Sequence, residues 1–164
     1  MTQNPYLQTC IDYGLWPESS AINPCEDLAS AVQLMQNLKI AFGISLFVRY
    51  ANSMYVICTC KDEYPERFSY TVKYESTLHK ERLPYVILRG VCAVIEREKI
   101  KVGKVKFEET IKYTLRLEYK VGDTWRKVTS VCEQGGRRFL NFDGLQLPFA
   151  NDNPVEVRPL WKVS

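Results

Sequence analysis

An alternation of apolar and polar side chains runs through residues 104–120, KVKFEETIKYTLRLEYK. The odd positions are apolar or aromatic except for Glu109, whereas the even positions are all Lys, Arg, Glu or Thr. A period of two is typical of a strand with one buried and one solvated face. The pattern therefore predicts a single long strand over Lys104–Lys120.

Two helices are predicted before this strand. Asn4-Pro5 and Asn23-Pro24 each resemble an N-cap residue followed by proline in the first helical turn, and Glu26 would complete a capping box with Asn23. Apolar residues recur at helical spacing up to Phe42, and Gly43 follows as a C-terminal cap. We expect helices over Pro5–Tyr13 and about Pro24–Phe42.

The chain after Gly43 has the pattern of strands separated by short turns. We expect turns at Asn52-Ser53, Val102-Gly103, Gly122-Asp123 and Gly135-Gly136. Pro159 indicates that the last strand lies at a sheet edge. The predicted strands are Ile44–Tyr50, Met54–Cys60, Phe68–Glu75, Pro84–Ile100, Lys104–Lys120, Trp125–Glu133, Arg138–Phe142 and Val155–Val163.

Two of these turns define a strand register. A two-residue turn at Val102-Gly103 places Glu96 opposite Glu109 and Arg97 opposite Glu108. It also places Cys92 opposite Tyr113.

The turn at Gly122-Asp123 places Lys127 opposite Glu118, Glu133 opposite Lys112 and Cys132 opposite Tyr113. Cys92 and Cys132 would then lie two strand spacings apart, roughly 10 Å, which is too far for a disulfide.

The length of the central strand indicates the fold. A straight strand of about 16 residues would span about 50 Å, more than a domain of this size allows, so the sheet has to curve. We predict an α+β fold: two N-terminal helices followed by a strongly curved antiparallel β-meander or partly closed β-barrel of about seven to eight strands. With 164 residues we expect one domain, in which residues 1–43 are helical and residues 44–164 are β-rich.

Composition is that of a globular protein, with 46% hydrophobic and 25% charged residues. The net charge of +3 is too small to imply nucleic acid or a membrane surface by itself. No signal-peptide pattern and no long apolar run is seen, so we expect no membrane insertion. We expect a cytoplasmic or nuclear location, inside a host cell if the protein is virus-encoded or injected.

The six cysteines are expected to be reduced, mostly buried thiols. Cys58 and Cys60 form a C-x-C pair, but the single histidine, His79, leaves too few partners for zinc. We therefore predict neither a metal nor a cofactor.

Two candidate sites depend on the predicted strands. The facing carboxylates of Glu96 and Glu109 could form an acid/base pair, because like charges raise one pKa. The alternative is that both lie at a solvated hairpin end. Tyr113 and other strand tyrosines could line an apolar pocket on a concave sheet, although half-buried strands prefer tyrosine anyway.

Two further candidates are basic. Lys101 and Lys104 lie at the tip of the predicted hairpin arm, where they could contact phosphates or simply keep a ribbon soluble. Arg137 and Arg138 follow Gly135-Gly136 and could bind phosphate or carboxylate. A tight turn with solvated arginines is the alternative.

No catalytic motif is present, so the sequence favours a non-enzymatic binding protein that contacts a protein partner through a curved β-sheet scaffold. A carrier of a small apolar ligand inside the sheet is one alternative, and an RNA- or DNA-binding protein using the basic arm is another. A catalytic site assembled from scattered residues stays open. The oligomeric state is also open.

Overall fold

The computed structural model describes residues 4–51, 54–61, 68–70 and 82–162. The chain divides into two compact units. The N-terminal unit comprises Met1–Glu98 with Lys162–Ser164, and the C-terminal unit comprises Lys99–Trp161. The predicted α+β class is confirmed, since helices and antiparallel sheets are both present. That the chain forms one domain stays a prediction.

The N-terminal unit combines helices with a small antiparallel sheet of order β1-β2-β3. Its second and third helices pack on the face of the sheet that carries the buried side chains of Ile44, Leu46 and Ile57, and its first helix packs on the third. In chain order its elements are α1 Pro5–Asp12, α2 Leu28–Phe42, β1 Ile44–Ala51, β2 Met54–Lys61, β3 Phe68–Tyr70 and α3 Leu83–Glu98.

The first two helices are present, with one change of start. Asn4 caps α1 by accepting a hydrogen bond from the Tyr6 amide at 2.9 Å. The second helix begins at Leu28 rather than at Pro24, because Asp27 is the residue that caps it. Asn23 instead accepts from the Cys25 amide at 3.0 Å and closes a turn. Gly43 ends α2 in the left-handed conformation, as predicted.

The strand predicted over Pro84–Ile100 is wrong, because Leu83–Glu98 forms helix α3. The segment is rich in valine and isoleucine, which favour strands on intrinsic preference. Its buried positions nevertheless follow helical spacing, and Pro84 stands in the first turn, where proline is tolerated. The buried set that defines the helical face includes Pro84, Ile87, Leu88, Val91, Ile95 and Glu98.

A glycine allows α3 to approach the sheet closely. Gly90 is buried, and a β-carbon added there would collide with Cδ1 of Ile57 on β2 and lie 3.3 Å from its Cγ1. Helical glycine costs about 0.5–1 kcal/mol relative to alanine. At Gly90 the absence of a side chain allows α3 to pack closely on β2, which offsets this cost.

The C-terminal unit contains a six-stranded antiparallel sheet of order β4-β9-β5-β6-β7-β8. Strands β4 and β8 are its two edges, so the sheet is open and does not close into a barrel. Its elements are β4 Gly103–Lys106, a 3₁₀ segment Phe107–Arg116, β5 Leu117–Val121, β6 Thr124–Gln134, β7 Arg137–Phe142, β8 Leu145–Phe149 and β9 Pro154–Pro159.

The single strand predicted over Lys104–Lys120 is wrong, because the 3₁₀ segment interrupts it. Three of its four buried residues, Phe107, Thr110 and Tyr113, are three positions apart, which is the period of a 3₁₀ helix, and the fourth is Thr114. Glu109 starts the segment by accepting a hydrogen bond from the Lys106 amide at 2.9 Å. Tyr113 has non-helical dihedral angles and kinks it.

Two predicted turns are confirmed. Gly122 joins β5 to β6 and places Glu118 opposite Lys127, as expected. Gly135 and Gly136 both have positive φ and join β6 to β7.

The pairings predicted further along β6 are wrong, because the 3₁₀ segment removes their partners. Cys132 lies opposite Phe139 rather than Tyr113, and Glu133 lies opposite Arg138 rather than Lys112.

Pro159 had suggested that the last strand lies at a sheet edge, and this prediction is wrong. β9 lies between β4 and β5. Pro159 is the last residue of β9, and β4 pairs with β9 only as far as Val157. The missing N–H of Pro159 therefore breaks no hydrogen bond to β4.

The turn predicted at Asn52-Ser53, the residues of the predicted strand beyond Tyr70, and His79 lie outside the described residues.

Candidate functional site

In the described part of the N-terminal unit, the outer edge of β1 has no neighbouring strand. β1 has eight residues and pairs along its whole length with β2, from Ile44 opposite Lys61 to Ala51 opposite Met54. No strand in the described part of the chain pairs with its other edge. In an antiparallel ladder every second residue directs its backbone N–H and C=O away from the paired neighbour. These groups are therefore available for another strand.

Two aromatic side chains on β1 are exposed. The exposed fraction is 55% for Phe47 and 62% for Tyr50. Tyr50 lies opposite Tyr55 and contacts it edge-on, with ring centroids 5.1 Å apart. Phe47 lies opposite Cys58, on the face of the sheet away from the buried Leu46. Arg49 is on the same face as Phe47 and is also exposed.

Proteins usually protect sheet edges with short strands, lysines, prolines or bulges. The C-terminal unit uses these devices at both edges: β4 has only four residues and exposes Lys104 and Lys106, and β8 contains Pro148. β1 is eight residues long and has no proline, no lysine and no break in its register. This contrast distinguishes β1 from the two edges of the C-terminal sheet.

Three cysteines of the N-terminal unit lie in the buried region of α1 and α3. Cys92 donates to the Tyr6 carbonyl at 3.2 Å, and Asn4 Nδ2 lies 3.1 Å from Cys25 Sγ. A hydrogen bond with Cys92, together with burial, raises the pKa of Cys10 well above its ordinary value.

Burial, with a smaller contribution from Glu26, raises the pKa of Cys25 to about 11. Cys10 and Cys25 are therefore protonated at neutral pH, and a protonated thiol is a poor nucleophile. All six cysteines are free, and among the described residues no cluster of three or more His, Cys, Asp or Glu could hold a metal.

The predicted pair of facing carboxylates, Glu96 and Glu109, is not present in the structure. Glu96 is exposed on helix α3, and Glu109 is exposed at the start of the 3₁₀ segment, where its carboxylate binds a backbone amide. The two residues cannot face each other across a hairpin, because neither is on a strand. The prediction relied on alternation in two segments that are both helical.

Tyr113 is buried in the 3₁₀ segment rather than on a strand, so its predicted position on a concave sheet is wrong. Lys101 and Lys104 are exposed, but they precede and occupy a short edge strand rather than the tip of a long hairpin arm. Arg137 and Arg138 begin β7 directly after the Gly135-Gly136 turn, with Arg137 exposed and Arg138 half-buried. Whether any of the four cations binds a ligand stays a prediction.

Sequence reasoning missed Phe47 and Tyr50. One signal was available: β1 alternates Ile44, Leu46, Val48 and Tyr50 on one side, and Phe47 stands on the side expected to be polar. A large aromatic on the solvated face of a strand indicates a contact surface. That β1 is an edge could not be read from the sequence, because strand order is a tertiary property.

Comparison of the chain with protein-family models, with characterised proteins and with solved structures finds no match in any of the three. In the described ranges, no helix has the length and apolar character needed to cross a bilayer. Function therefore has to be inferred from the geometry of this chain.

Proposed function

We propose that this chain is a non-enzymatic interaction protein that binds an extended segment of a partner protein along the outer edge of β1. One observation carries the proposal: among the described strands β1 is a long edge strand with no paired neighbour on its outer side, and it exposes Phe47 and Tyr50. Strand addition is a common mode of peptide recognition, in which the main chain provides affinity and alternate side chains provide specificity.

The edge itself indicates the chemistry of the partner. The backbone groups that point outward from β1 can each bond an added strand, and each such bond contributes about 0.5–1.5 kcal/mol net. Residues of the partner opposite Phe47 and Tyr50 should be aromatic or β-branched, since such cross-strand pairs stabilise sheets. Arg49 favours an acidic residue beside them. The expected ligand is an extended segment with apolar residues opposite Phe47 and Tyr50 and an acidic residue opposite Arg49.

The alternative of a small apolar ligand inside the sheet lacks comparable support. In the C-terminal unit the rings of Phe107, Tyr119 and Phe149 pack on one another, with Phe107 stacked on Phe149 at 4.9 Å. These contacts fill the space between the 3₁₀ segment and the sheet with aromatic rings. A strongly curved sheet remains an element of the proposal and is supported by the irregular register of β6 between Val128 and Ser130.

Selection from a phage library of random dodecapeptides on the full-length chain tests the proposal. Peptides that bind the wild-type chain are then tested against Phe47→Lys, because an exposed lysine protects an edge strand. Leu115→Lys is the matched control: its side chain is 56% exposed, almost the same as Phe47, but it lies in the C-terminal unit.

The proposal expects peptides that combine apolar and acidic residues and that bind the wild-type chain and Leu115→Lys but not Phe47→Lys. Peptides that bind all three chains equally, or no enrichment at all, would contradict it. Sedimentation that shows a dimer abolished only by Phe47→Lys would also contradict it, because the occupant of β1 would then be a second copy.

A further inference from the structure

The C-terminal sheet has an outer face, which we define by Lys104, Glu118, Lys120, Trp125, Lys127, Glu156 and Arg158. Residues directly opposite each other in a ladder lie on one face, and the pairs here are Lys104 with Glu156, Glu118 with Lys127 and with Arg158, and Lys120 with Trp125. The intervening residues, Leu117, Tyr119 and Val157, are buried on the opposite face. The outer face therefore points away from the core of this unit.

Arg158 and Trp125 form a stacked pair on this face. The guanidinium carbon of Arg158 lies 4.3 Å from the centroid of the Trp125 ring. Arg158 Nε and Nη2 also donate to Glu118 Oε2, at 3.2 and 2.8 Å. The indole below and the carboxylate at its side hold the guanidinium in one place. The Arg158 side chain is still 48% exposed, so its outer surface is accessible.

The charge around this pair is positive. Lys104, Lys120 and Lys127 are exposed on the same face, and with Arg158 they outnumber the two carboxylates of Glu118 and Glu156. The four cations lie on strands β4, β9, β5 and β6, which together span three strand spacings, about 14 Å. The C-terminal unit as a whole has 12 Lys and Arg against 8 Asp and Glu. This distribution favours an extended polyanion.

We propose that the outer face of the C-terminal sheet binds single-stranded nucleic acid, with a base stacked on the Arg158 guanidinium and phosphates contacted by Lys104, Lys120 and Lys127. Single-stranded bases stack on aromatic rings and on arginine guanidinium planes. Trp125 and Glu118 prepare such a plane before the ligand arrives, which reduces the ordering cost of binding. A surface that only attracted phosphates would need the lysines but not the Arg158–Trp125 pair.

The test is fluorescence anisotropy of a fluorescein-labelled 12-nucleotide oligo-dT and oligo-U, titrated with the full-length chain at several salt concentrations. Each phosphate neutralised contributes about −0.7 to the slope of log affinity against log salt, so the three lysine contacts give a slope of about −2. Arg158→Lys keeps the charge but removes the plane. This variant should weaken binding at least about fivefold, which corresponds to the lower limit of the stacking energy of one base. The slope against salt should not change.

Arg97→Lys is the matched control, since Arg97 is exposed but lies on helix α3 of the N-terminal unit. It should bind like the wild type. The double variant Lys120→Gln/Lys127→Gln should reduce the slope by about 1.4, whereas Lys112→Gln, exposed on the 3₁₀ segment, should not. Circular dichroism and the melting temperature verify that each variant is folded.

Three results would overturn the proposal. The first is absence of oligonucleotide binding at low salt. The second is equal binding by Arg158→Lys and the wild type, which would indicate a general polyanion surface. The third is stronger binding of duplex DNA than of the single strand. Phe47→Lys should bind the oligonucleotide like the wild type, so this test is independent of the β1 edge.

Discussion

The hydroxyl of Tyr119 donates a hydrogen bond of 2.6 Å to Thr110 Oγ1 in the buried core of the C-terminal unit. The Thr110 hydroxyl donates in turn to the Phe107 carbonyl at 2.8 Å. β5 is thereby tied to the 3₁₀ segment through polar atoms that have no access to water. A buried tyrosine hydroxyl has to be bonded in this way, since leaving it without a partner would be costly.

Tyr119→Phe is expected to lower the free energy of unfolding by about 1 kcal/mol, because one hydrogen bond is lost while the ring contacts with Phe107 and Phe142 are kept. Urea unfolding measures the change. Tyr55→Phe is the control, since this tyrosine is half-buried at the sheet of the other unit. An unchanged stability in Tyr119→Phe would contradict the structural role of the Tyr119–Thr110 bond.

Gly90→Ala is expected to destabilise the chain by about 1–3 kcal/mol, although the same change in an open helix position would stabilise it. The added methyl group would collide with Ile57 Cδ1. Ile57→Val removes that atom, so the double variant Gly90→Ala/Ile57→Val should recover some of the loss. Denaturant unfolding of the four proteins in this cycle tests the coupling, and strictly additive effects would show that α3 does not contact Ile57 as described.

Stability is expected to fall as the pH rises above 9. Burial raises the pKa of Cys25 to about 11 from an ordinary value of 9.0, so the unfolded chain releases this proton first. Between these two values the free energy of unfolding falls as the pH rises, because the unfolded chain has lost a proton that the folded chain keeps. The pKa values of Cys10 and Tyr119 are raised too, and their contributions act in the same direction.

The measurement is the free energy of unfolding in urea at pH 8 and pH 10, under reducing conditions. Cys25→Ala should be less sensitive to this pH change than the wild type. Cys132→Ala is the control, because Cys132 is half-buried in the other unit. Equal pH dependence in all three proteins would show that the Cys25 thiol is not held protonated.

The features of the fold that the sequence predicts correctly are those governed by local rules. The Asn4 cap depends on a side-chain oxygen that can accept from the first turn. The Gly43 C-terminal cap and the turns at Gly122 and Gly135-Gly136 depend on positive φ angles, which few other residues adopt. The Glu118–Lys127 pairing followed from one of these turns. Local chemistry was sufficient in each case.

The two large errors arose where one pattern fits two structures. In α3, five valines and isoleucines among sixteen residues hide the helical spacing of the buried set. In the 3₁₀ segment, the alternation of Phe107, Ile111 and Tyr113 coexists with a period of three through Phe107, Thr110 and Tyr113. Thr110 is a polar residue that is buried only in the second pattern. Its hydrogen bond with Tyr119 is a tertiary contact that the sequence does not reveal.

The candidate sites could be predicted even less, because they depend on strand order. Phe47 becomes a contact residue only because β1 is an edge, and the Arg158–Trp125 pair exists only because β9 inserts between β4 and β5. The exposure of Phe47 follows from the strand order, and Arg158 and Trp125 are distant in the chain. Sequence patterns alone do not encode either one.

Amide hydrogen exchange of β1 tests the central claim most directly. The full-length chain is measured free and with a saturating dodecapeptide selected on it, with strands β4 and β8 as internal controls. The account predicts that protection increases within Ile44–Ala51 and stays unchanged at the two protected edges of the C-terminal sheet. Protection that appears at β4 or β8 but not at β1 would contradict the binding of partners along the β1 edge.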